Sequence, residues 1–483
     1  MKRRELLKAA GAAGLTGLAG VGLYVSSKQE SGDGSDQPNG SAEGTPAQAT
    51  GTPAEKWPEW EEFGTVVDAA AEGADPTGQQ PVNFLFEEYA DDDTLLAFEP
   101  GTYRIDPLTV RDRTGFGVVG IGDEPATFVP TDGDCHGGQP WVSFGGIEDF
   151  HLENATFDFR SASGGGPIHL LLGGESVVRN VTCLGSCSNQ ISVLKVEADD
   201  SGAVRFENLV ARNTDDNQSL TGLFVGKNHA GDLRLDDCTI ERFSDNGLYA
   251  SAPGGAGGGN GPVRVSGGTY RNNNVSGVRL GTTGSSATDV RIVVDAETPG
   301  SGGLNARGIR LRNKSGQVID NCWIRFGENA PESFGGIVCH AANGGAIVRD
   351  TTITVDKASI PAIRTFPAEG ATGETLTVEN CTMSGSTGGG VLARIEGRDG
   401  TVFRDCTIEH RGEQRHGLRF IDSSNCRIVD SRIDVTGDPV SAENGTVTVE
   451  NSTIVRNGTE YSVEQTTLED ETFEPEPPET AQP

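Results

Sequence analysis

The sequence predicts an all-β protein: a right-handed parallel β-helix, built as a single-stranded solenoid with a short N-terminal capping helix. Three observations predict this fold. A four-residue phrase of the type Asn/Asp-x-Thr-Ile recurs at steps of 21 to 32 residues, and a turn glycine followed by alternating apolar residues stands between its copies. Helical periodicity is almost absent. Coils of two or three short strands, each stacked on the last, are what such a repeat builds.

The N-terminal residues 1–25 resemble a twin-arginine export signal. Arg3 and Arg4 precede a Gly/Ala-rich apolar run, which spans the 17 residues 9–25. A membrane-crossing helix needs about 20 strongly apolar residues, so no membrane span is expected in the mature protein. Residues 26–56 are rich in Ser, Gly, Pro, Thr and Gln and are expected to form a disordered linker. We therefore expect a secreted or cell-surface monomer, and the sequence leaves signal cleavage open.

Residues 57–130 are expected to form the N-terminal cap and the first coils. A Gly-Ala-x-x-x-Gly loop at 73–78 leads into a segment, 81–90, that we expect to be the capping helix, and the next strand ends with Pro100, Gly101 and Tyr103. This order resembles the N-terminal segment of the pectin-lyase-like superfamily. With the repeats, the resemblance covers about residues 63–455. It implies the fold and leaves the activity open, because lyases, hydrolases, epimerases and adhesins share that fold.

Residues 131–456 are expected to form the solenoid, in which equivalent residues of successive coils lie about 4.8 Å apart and form columns. Four cysteines share one place in the recurring phrase and are expected to be small residues packed inside the coil, rather than a metal or disulfide cluster. They are Cys238, Cys322, Cys381 and Cys406. The Asn or Asp before them is expected to form a turn whose side chains bond to the coils above and below. For Cys183 and Cys187 the sequence leaves a disulfide open.

The C-terminal residues 457–483 contain eight acidic and no basic residues and are expected to be a disordered acidic tail. The whole chain carries a net charge of −32, and only 8 of its 38 basic residues are Lys. This composition is typical of a secreted protein of the haloarchaeal type, adapted to high salt; an ordinary acidic secreted protein is the alternative. The charge argues against nucleic acid as a partner.

Two acidic motifs resemble those of polygalacturonases, which carry N-T-D, D-D-C, G-H-G and R-I-K. They are NTDD at 213–216 and DDC at 236–238. In polygalacturonases D-D-C leads directly into a strand of the substrate groove, whereas here DDC is part of the recurring phrase, one strand earlier. We therefore interpret Asp236 and Asp237 as scaffold and take Asp245 as the positional equivalent of the catalytic acid. No G-H-G occurs. An inverting hydrolase needs an acid and a base about 6.5–9.5 Å apart, and the second partner is missing.

In each coil a turn glycine is followed by an apolar residue, and the next residue along the strand is expected to face outward. Successive coils place there His169, Lys195, Phe224, Tyr249, Arg279, Arg310, Val338, Arg364, Leu392 and Arg419. Aligned cations suit an anionic polymer, and aromatic faces suit sugar rings. The alternative is that the cations form ion pairs with nearby acidic side chains. We expect substrate contacts from Lys195, Phe224, Tyr249, Arg312, Arg364 and Arg419; Arg312 is included because RGIRLRN at 307–313 resembles the R-I-K strand.

The acids beside this column could share a calcium ion with oxygen ligands, and the expected ligands are Asp215, Asp216 and Asp245. Ordinary turn aspartates are the alternative. Lyases of the resembling superfamily use an arginine as base, which implies Arg279 or Arg310 in that role. The expected catalytic residues are Asp215, Asp245, Arg279 and Arg310.

The sequence therefore predicts a secreted carbohydrate-active protein that binds an acidic polysaccharide. It leaves open whether the protein also cleaves the polymer, as a lyase or a glycoside hydrolase. The alternative function is a non-catalytic glycan-binding, adhesion or envelope structural protein.

Overall fold

The computed structural model describes residue 60 and residues 62–131, 140–160, 167–185, 191–214, 220–297, 305–369, 375–456 and 458–474. They belong to one compact unit, residues 52–483. The signal and linker expected at residues 1–56 lie outside the described residues. The described part contains one helix and 41 strands, and every strand except the last pairs in parallel within a solenoid, which confirms the predicted fold class. No helix in this part combines the length and the hydrophobicity needed to cross a membrane.

One side of every coil contributes a strand to a thirteen-stranded sheet, here called the front sheet. All its neighbouring strands are parallel. Its strands are β5 (Leu108–Thr114), β8 (Val142–Glu148), β10 (Ile168–Gly173), β12 (Ser192–Ala198), β15 (Thr221–Val225), β18 (Asn246–Ala250), β21 (Ser276–Leu280), β24 (Ala306–Leu311), β27 (Ser333–Cys339), β30 (Ile363–Thr365), β33 (Val391–Glu396), β36 (His416–Ile421) and β39 (Val440–Glu443).

The other 28 strands form the rear sheet, which bends at a corner in each coil. They are β1 (Thr65–Asp68), β2 (Thr77–Pro81), β3 (Thr94–Phe98), β4 (Gly101–Ile105), β6 (Phe116–Gly120), β7 (Ala126–Pro130), β9 (His151–Asp158), β11 (Glu175–Leu184), β13 (Ala203–Glu207), β14 (Val210–Arg212), β16 (Asp232–Asp236), β17 (Thr239–Glu241), β19 (Val263–Ser266), β20 (Thr269–Arg271), β22 (Ser286–Thr288), β23 (Arg291–Val294), β25 (Gln317–Asp320), β26 (Trp323–Phe326), β28 (Ala346–Arg349), β29 (Thr352–Val355), β31 (Leu376–Glu379), β32 (Thr382–Gly385), β34 (Val402–Arg404), β35 (Thr407–His410), β37 (Cys426–Val429), β38 (Arg432–Val435), β40 (Thr446–Arg456) and β41 (Thr459–Glu469).

The capping helix α1 (Asn83–Tyr89) lies within the segment expected to form it. It buries Leu85 and Phe86, and the Phe86 ring stacks on Phe98 with their centroids 6.4 Å apart. Because a solenoid exposes the apolar interior of its first coil, a helix with one apolar face is a suitable cover.

The corner between the two rear strands of a coil is made by the first residue of the recurring phrase. In eleven coils this residue is Asn or Asp with φ between 47° and 57°, the left-handed region that these two residues tolerate best among those with a side chain. Their side chains bond between coils; for example, the Asn208 amide donates to Asn180 Oδ1 at 3.1 Å. The predicted turn column is confirmed, and Asp237 is one of its members.

The cysteine after the corner points into the coil, as predicted. Cys238, Cys322, Cys381 and Cys406 are buried free thiols, and burial raises the pKa of Cys238 to about 12 and that of Cys406 to about 11. The Cys406 thiol donates to the carbonyl two residues earlier at 3.2 Å, and the Ser431 hydroxyl makes the same bond at 2.8 Å in the next coil. In these two coils the position is filled by a small donor, whereas the buried Val181, Leu209 and Val290 fill it in other coils. Cys183 is also a buried free thiol, and Cys187 lies outside the described residues.

The C-terminal segment differs from the expected disordered tail. Residues 459–469 form β41, which runs antiparallel to β40 over its whole length, and residues 471–473 bond to β39 at the end of the front sheet. The physical reason is an alternation of polar residues with Tyr461 and Val463, which fits a half-buried strand despite the acidic composition. The expectation for residues 475–483 lies outside the described part of the chain.

Candidate functional site

The outward residues of the front sheet form one continuous column, here called the front column. Strand register aligns Ser143, His169, Lys195, Phe224, Tyr249, Arg279, Arg310, Val338, Arg364, Arg394, Arg419 and Ser441. Leu392, expected in this column, is instead fully buried, and Arg394 takes its place. The turn-glycine rule fails in this coil because Leu392 lies level with Gly417 of the next coil, so that Arg394, two residues later, faces outward.

At the two ends of the front column the cations are paired with acids. Lys195 lies 3.6 Å from Glu197, Arg394 lies 3.1 Å from Glu396, and Arg419 lies 2.5 Å from Glu443. For Lys195 and Arg419 the structure therefore matches the alternative of local ion pairing. Such pairs, exposed to solvent, add little to stability and partly neutralise the column.

The middle of the front face is different. Arg279, Arg307, Arg310 and Arg312, here called the arginine cluster, come from two neighbouring coils and act electrostatically on one another. None of the four forms an ion pair with any described residue, whereas pairs such as Arg349–Asp320 at 2.6 Å are common on the rear sheet. The Nε atoms of Arg307, Arg310 and Arg312 are buried and without an acceptor among the described residues.

Burial lowers the pKa values of the Arg279, Arg307 and Arg310 guanidinium groups because their charge has lost its water. The pKa falls to about 10 for Arg279, about 9 for Arg307 and about 7 for Arg310; for Arg310 the charges of Arg307, Arg279 and Arg312 add to the effect of burial. Guanidinium holds its proton more strongly than any other side chain. The consequence of the lowered pKa is therefore a strong preference of the cluster for a bound anion.

Arg279 is held in place by the preceding coil. Its Nε donates to Ser251 Oγ at 2.7 Å, its Nη2 donates to Tyr249 Oη at 2.9 Å, and its guanidinium carbon lies 3.7 Å from the centroid of the Tyr249 ring. The Tyr249 ring also meets Phe224 edge-on, with centroids 5.1 Å apart. The sequence-predicted residues Phe224, Tyr249 and Arg279 are therefore brought together as one rigid unit.

Asp245 is the carboxylate that faces the arginine cluster. Its Oδ2 accepts a hydrogen bond from Thr221 at 3.0 Å, and burial raises its pKa while the charges of Arg279 and Arg310 act in the opposite direction. The cations around it disfavour a calcium ion at this position. Asp215 and Asp216 lie outside the described residues, and within the described part no three His, Cys, Asp or Glu side chains are grouped to hold a metal.

Arg307 and His340 are site residues that sequence reasoning missed. His340 follows β27, beside Arg312, and its Nδ1 accepts the backbone N–H of Ala342 at 3.2 Å, so the neutral ring carries its proton on Nε2. Burial and the nearby arginine charges lower its pKa to about 3. His340 is therefore a neutral hydrogen-bond donor at the site. The spacing of His340 from the other histidines did not indicate a site. Arg307 precedes the turn glycine, and only the residue two places after that glycine was expected to face outward.

Residues 307–473, about a third of the chain, match the family model described as "Right handed beta helix region". No curated protein matches the sequence. With the parallel coils, the family match shows a right-handed β-helix, the fold of the superfamily that the N-terminal segment resembles.

Several solved structures are similar to the chain. The A-module of a mannuronan C-5 epimerase from Azotobacter vinelandii is 14% identical, with a TM-score of 0.46, over 66% of this chain and 95% of that one. The catalytic unit of an α-1,3-glucanase from Streptomyces thermodiastaticus is 16% identical, with a TM-score of 0.42, over 82% and 64%. The Streptococcus pneumoniae surface adhesin PfbA is 11% identical, with a TM-score of 0.39, over 81% and 90%. Similarity of this degree carries no information on function.

Proposed function

We propose that the protein binds an acidic polysaccharide along the outer face of the front sheet, with the arginine cluster as the centre of the site. The observation that carries this proposal is a group of four guanidinium ions that form no ion pair with a described carboxylate and that bury three Nε atoms without an acceptor among the described residues. In a chain of net charge −32, such a group is stabilised by an anion from outside.

The geometry supports a polymer rather than a single small anion. A chain lying along the solenoid axis meets one front-column residue per coil, about every 4.8 Å. From Arg279 to Arg419 the column contains five cations in six coils, while Phe224 and Tyr249 offer aromatic faces at one end. Carboxylates of uronate sugars fit the paired N–H groups of guanidinium, which bind planar oxyanions through two bonds at once.

The binding test compares a polyuronate with a neutral glucan, in low and high salt, by calorimetry and by affinity electrophoresis. Arg310→Met together with Arg312→Met is expected to weaken polyuronate binding at least tenfold, because charge-assisted hydrogen bonds contribute about 1.5–3 kcal/mol each. Arg349→Met, which removes a paired arginine of the rear sheet, serves as the control. Equal affinity of the double variant and the native protein would show that the site lies elsewhere.

A lyase is the second candidate function, and the lowered pKa of Arg310 favours it. Because the lowered pKa reduces the cost of forming the neutral guanidine, Arg310 in that form would take the proton from the carbon next to a uronate carboxylate. The bond from the neighbouring carbon to the glycosidic oxygen then breaks, a carbon–carbon double bond forms, and the leaving oxygen takes up a proton. Asp245, with its raised pKa, is the nearby acid. Ultraviolet absorbance of the unsaturated product, measured with and without Ca²⁺, tests both the activity and the calcium site predicted at Asp215, Asp216 and Asp245.

Binding without any product, whether unsaturated or a new reducing end, would identify a non-catalytic glycan-binding protein. Export through the twin-arginine pathway, as the N-terminal sequence suggests, would suit that role at the cell surface. Detection of the protein in the medium or on intact cells, with and without Arg3 and Arg4, tests the proposed localisation.

A further inference from the structure

The one apolar residue in the middle of the front column is covered, although it faces outward. Val338 lies between Arg310 and Arg364 in register and is only 1% exposed. Phe334 from the same strand and Phe366 from the next coil supply an aromatic pair here, with ring centroids 5.9 Å apart. An apolar cluster on the outer face of a parallel sheet, between two arginines, contributes nothing to the solenoid core.

The backbone is distorted in a way that presents Phe334. Ser333 pairs with Ala306 and Gly335 pairs with Arg307, which leaves Phe334 as the extra residue of a β-bulge. Gly335 has φ 147°, a conformation that other residues rarely adopt. Bulges re-aim a side chain at the cost of regular pairing, and here the side chain directed to the surface is aromatic.

Cations and rings alternate across this part of the face. The Arg307 guanidinium lies 4.5 Å from the Phe334 centroid, and the Arg364 guanidinium lies 5.2 Å from Phe334 and 4.6 Å from Phe366. Phe334 and Phe366 with Arg364 are here called the phenylalanine platform. Arg307 belongs to the arginine cluster and also touches the platform, so the two features are continuous.

We infer that the phenylalanine platform is a sugar-binding subsite, on which one ring of the acidic polysaccharide stacks while an acidic group of the same chain is bound by Arg310 and Arg312. This inference rests on the proposed function and adds to it. A sugar ring has an apolar C–H face and a polar rim, so it suits a surface on which aromatic side chains and guanidinium donors lie next to each other. The arginine cluster attracts any polyanion, whereas the platform adds affinity only for one that carries rings.

The test compares a polyuronate with polyglutamate, a polyanion without sugar rings, by calorimetry. Phe334→Leu with Phe366→Leu keeps the apolar bulk and removes the aromatic faces. Affinity for the polyuronate is expected to fall about tenfold, while polyglutamate binding stays within about twofold of the native value, because stacking on an aromatic side chain contributes about 1–3 kcal/mol where it has been measured for bases. Trp323→Leu is the matched control: that ring lies on the rear sheet, 4.2 Å from the Arg291 guanidinium.

Four outcomes would overturn the inference. An equal loss for both polymers would show that the phenylalanines only position the arginines, and no loss for either would show that the platform is unused. If the native protein binds neither polymer, the proposed function fails with it. If Arg310→Met/Arg312→Met loses binding while the phenylalanine double variant keeps full affinity, the sugar-stacking inference fails and the proposed function stands. The single variant Phe366→Leu, which leaves the bulge intact, covers the case in which the double variant does not fold.

Discussion

Arg310→Met is expected to make the unliganded protein more stable while removing its affinity for the polysaccharide. Arg310 is surrounded by the positive charges of Arg279, Arg307 and Arg312, and Asp245 is the carboxylate that faces them. Methionine keeps an unbranched apolar stem of similar length, so the change mainly removes the charge.

The expected gain follows from the charges. Two like charges about 7 Å apart, at an effective dielectric constant of about 20, repel each other by roughly 2 kcal/mol. Three cationic neighbours and one carboxylate leave a net repulsion of about two such pairs, or roughly 4 kcal/mol. Lost packing and screening by salt reduce this value, and we expect the free energy of unfolding to rise by about 1–3 kcal/mol. Replacing buried ionic groups by apolar ones has effects of this size.

The assay is urea unfolding of the native protein, Arg310→Met and Arg349→Met, at low salt and at about 1 M salt. The Arg349 guanidinium is bonded to Asp320 through two nitrogens at 2.6 and 2.9 Å and is half exposed, so its loss should cost at most about 1 kcal/mol. The gain of Arg310→Met should shrink at high salt, where the screening length is about 3 Å. Hydrogen exchange in β21, β24 and β27 locates the effect, because a solenoid is stabilised coil by coil.

A loss of stability in Arg310→Met as large as in Arg349→Met would refute the reasoning. It would mean that Arg310 is already paired in the empty protein, so that no external anion is needed. A gain in stability without a loss of polyuronate affinity would show that Arg310 is repelled by its neighbours but does not bind the polymer.

Three other predictions concern the scaffold. Burial lowers the pKa values of His229 and His410, whose rings bond only to backbone groups. As the pH falls, the unfolded chain therefore takes up protons before the folded protein does. The stability contributed by the two neutral rings is fully present above a pH of about 6.5 and should fall as the pH drops toward the folded pKa values. Between pH 7.5 and 5, the urea midpoint should depend less on pH in His410→Gln than in the native protein. Cys406→Ser should cost less than about 1 kcal/mol, since Ser431 makes the same bond, whereas Cys406→Met should cost about 1–3 kcal/mol; equal midpoints would contradict the tight corner. Asn380→Ala should cost about 2 kcal/mol and Asn380→Gly about half of that, because only alanine is strained at φ 48°; thermal unfolding that ranks glycine below alanine would contradict this.

Much of the fold could be predicted because each coil repeats the same local requirements. The corner needs a residue that tolerates positive φ, and the next side chain points into the coil, so Asp237 and Cys238 were recognisable as scaffold from their counterparts in other coils. The front column followed from alternation, which is why Arg279 and Arg310 were found beside Tyr249.

The rest of the site depends on departures from the repeat, which a repeat cannot predict. Leu392 replaces a glycine and shifts the outward position to Arg394, and the bulge at Phe334 adds a residue to its strand. Whether a cation is paired depends in part on the next coil, as Arg419 shows by pairing with Glu443, 24 residues away. The pattern along the strand of Arg419 does not contain that information.

The antiparallel strand β41 closes the edge of the rear sheet at the C-terminal end of the solenoid. A parallel solenoid that simply stopped would offer its last edge to the first coil of another copy, and fibres could grow end to end. With β41 the edge instead runs antiparallel and carries Glu460, Glu464 and Glu469. The chain therefore closes this edge of the rear sheet with its own last strand, whose exposed carboxylates disfavour the addition of a further strand.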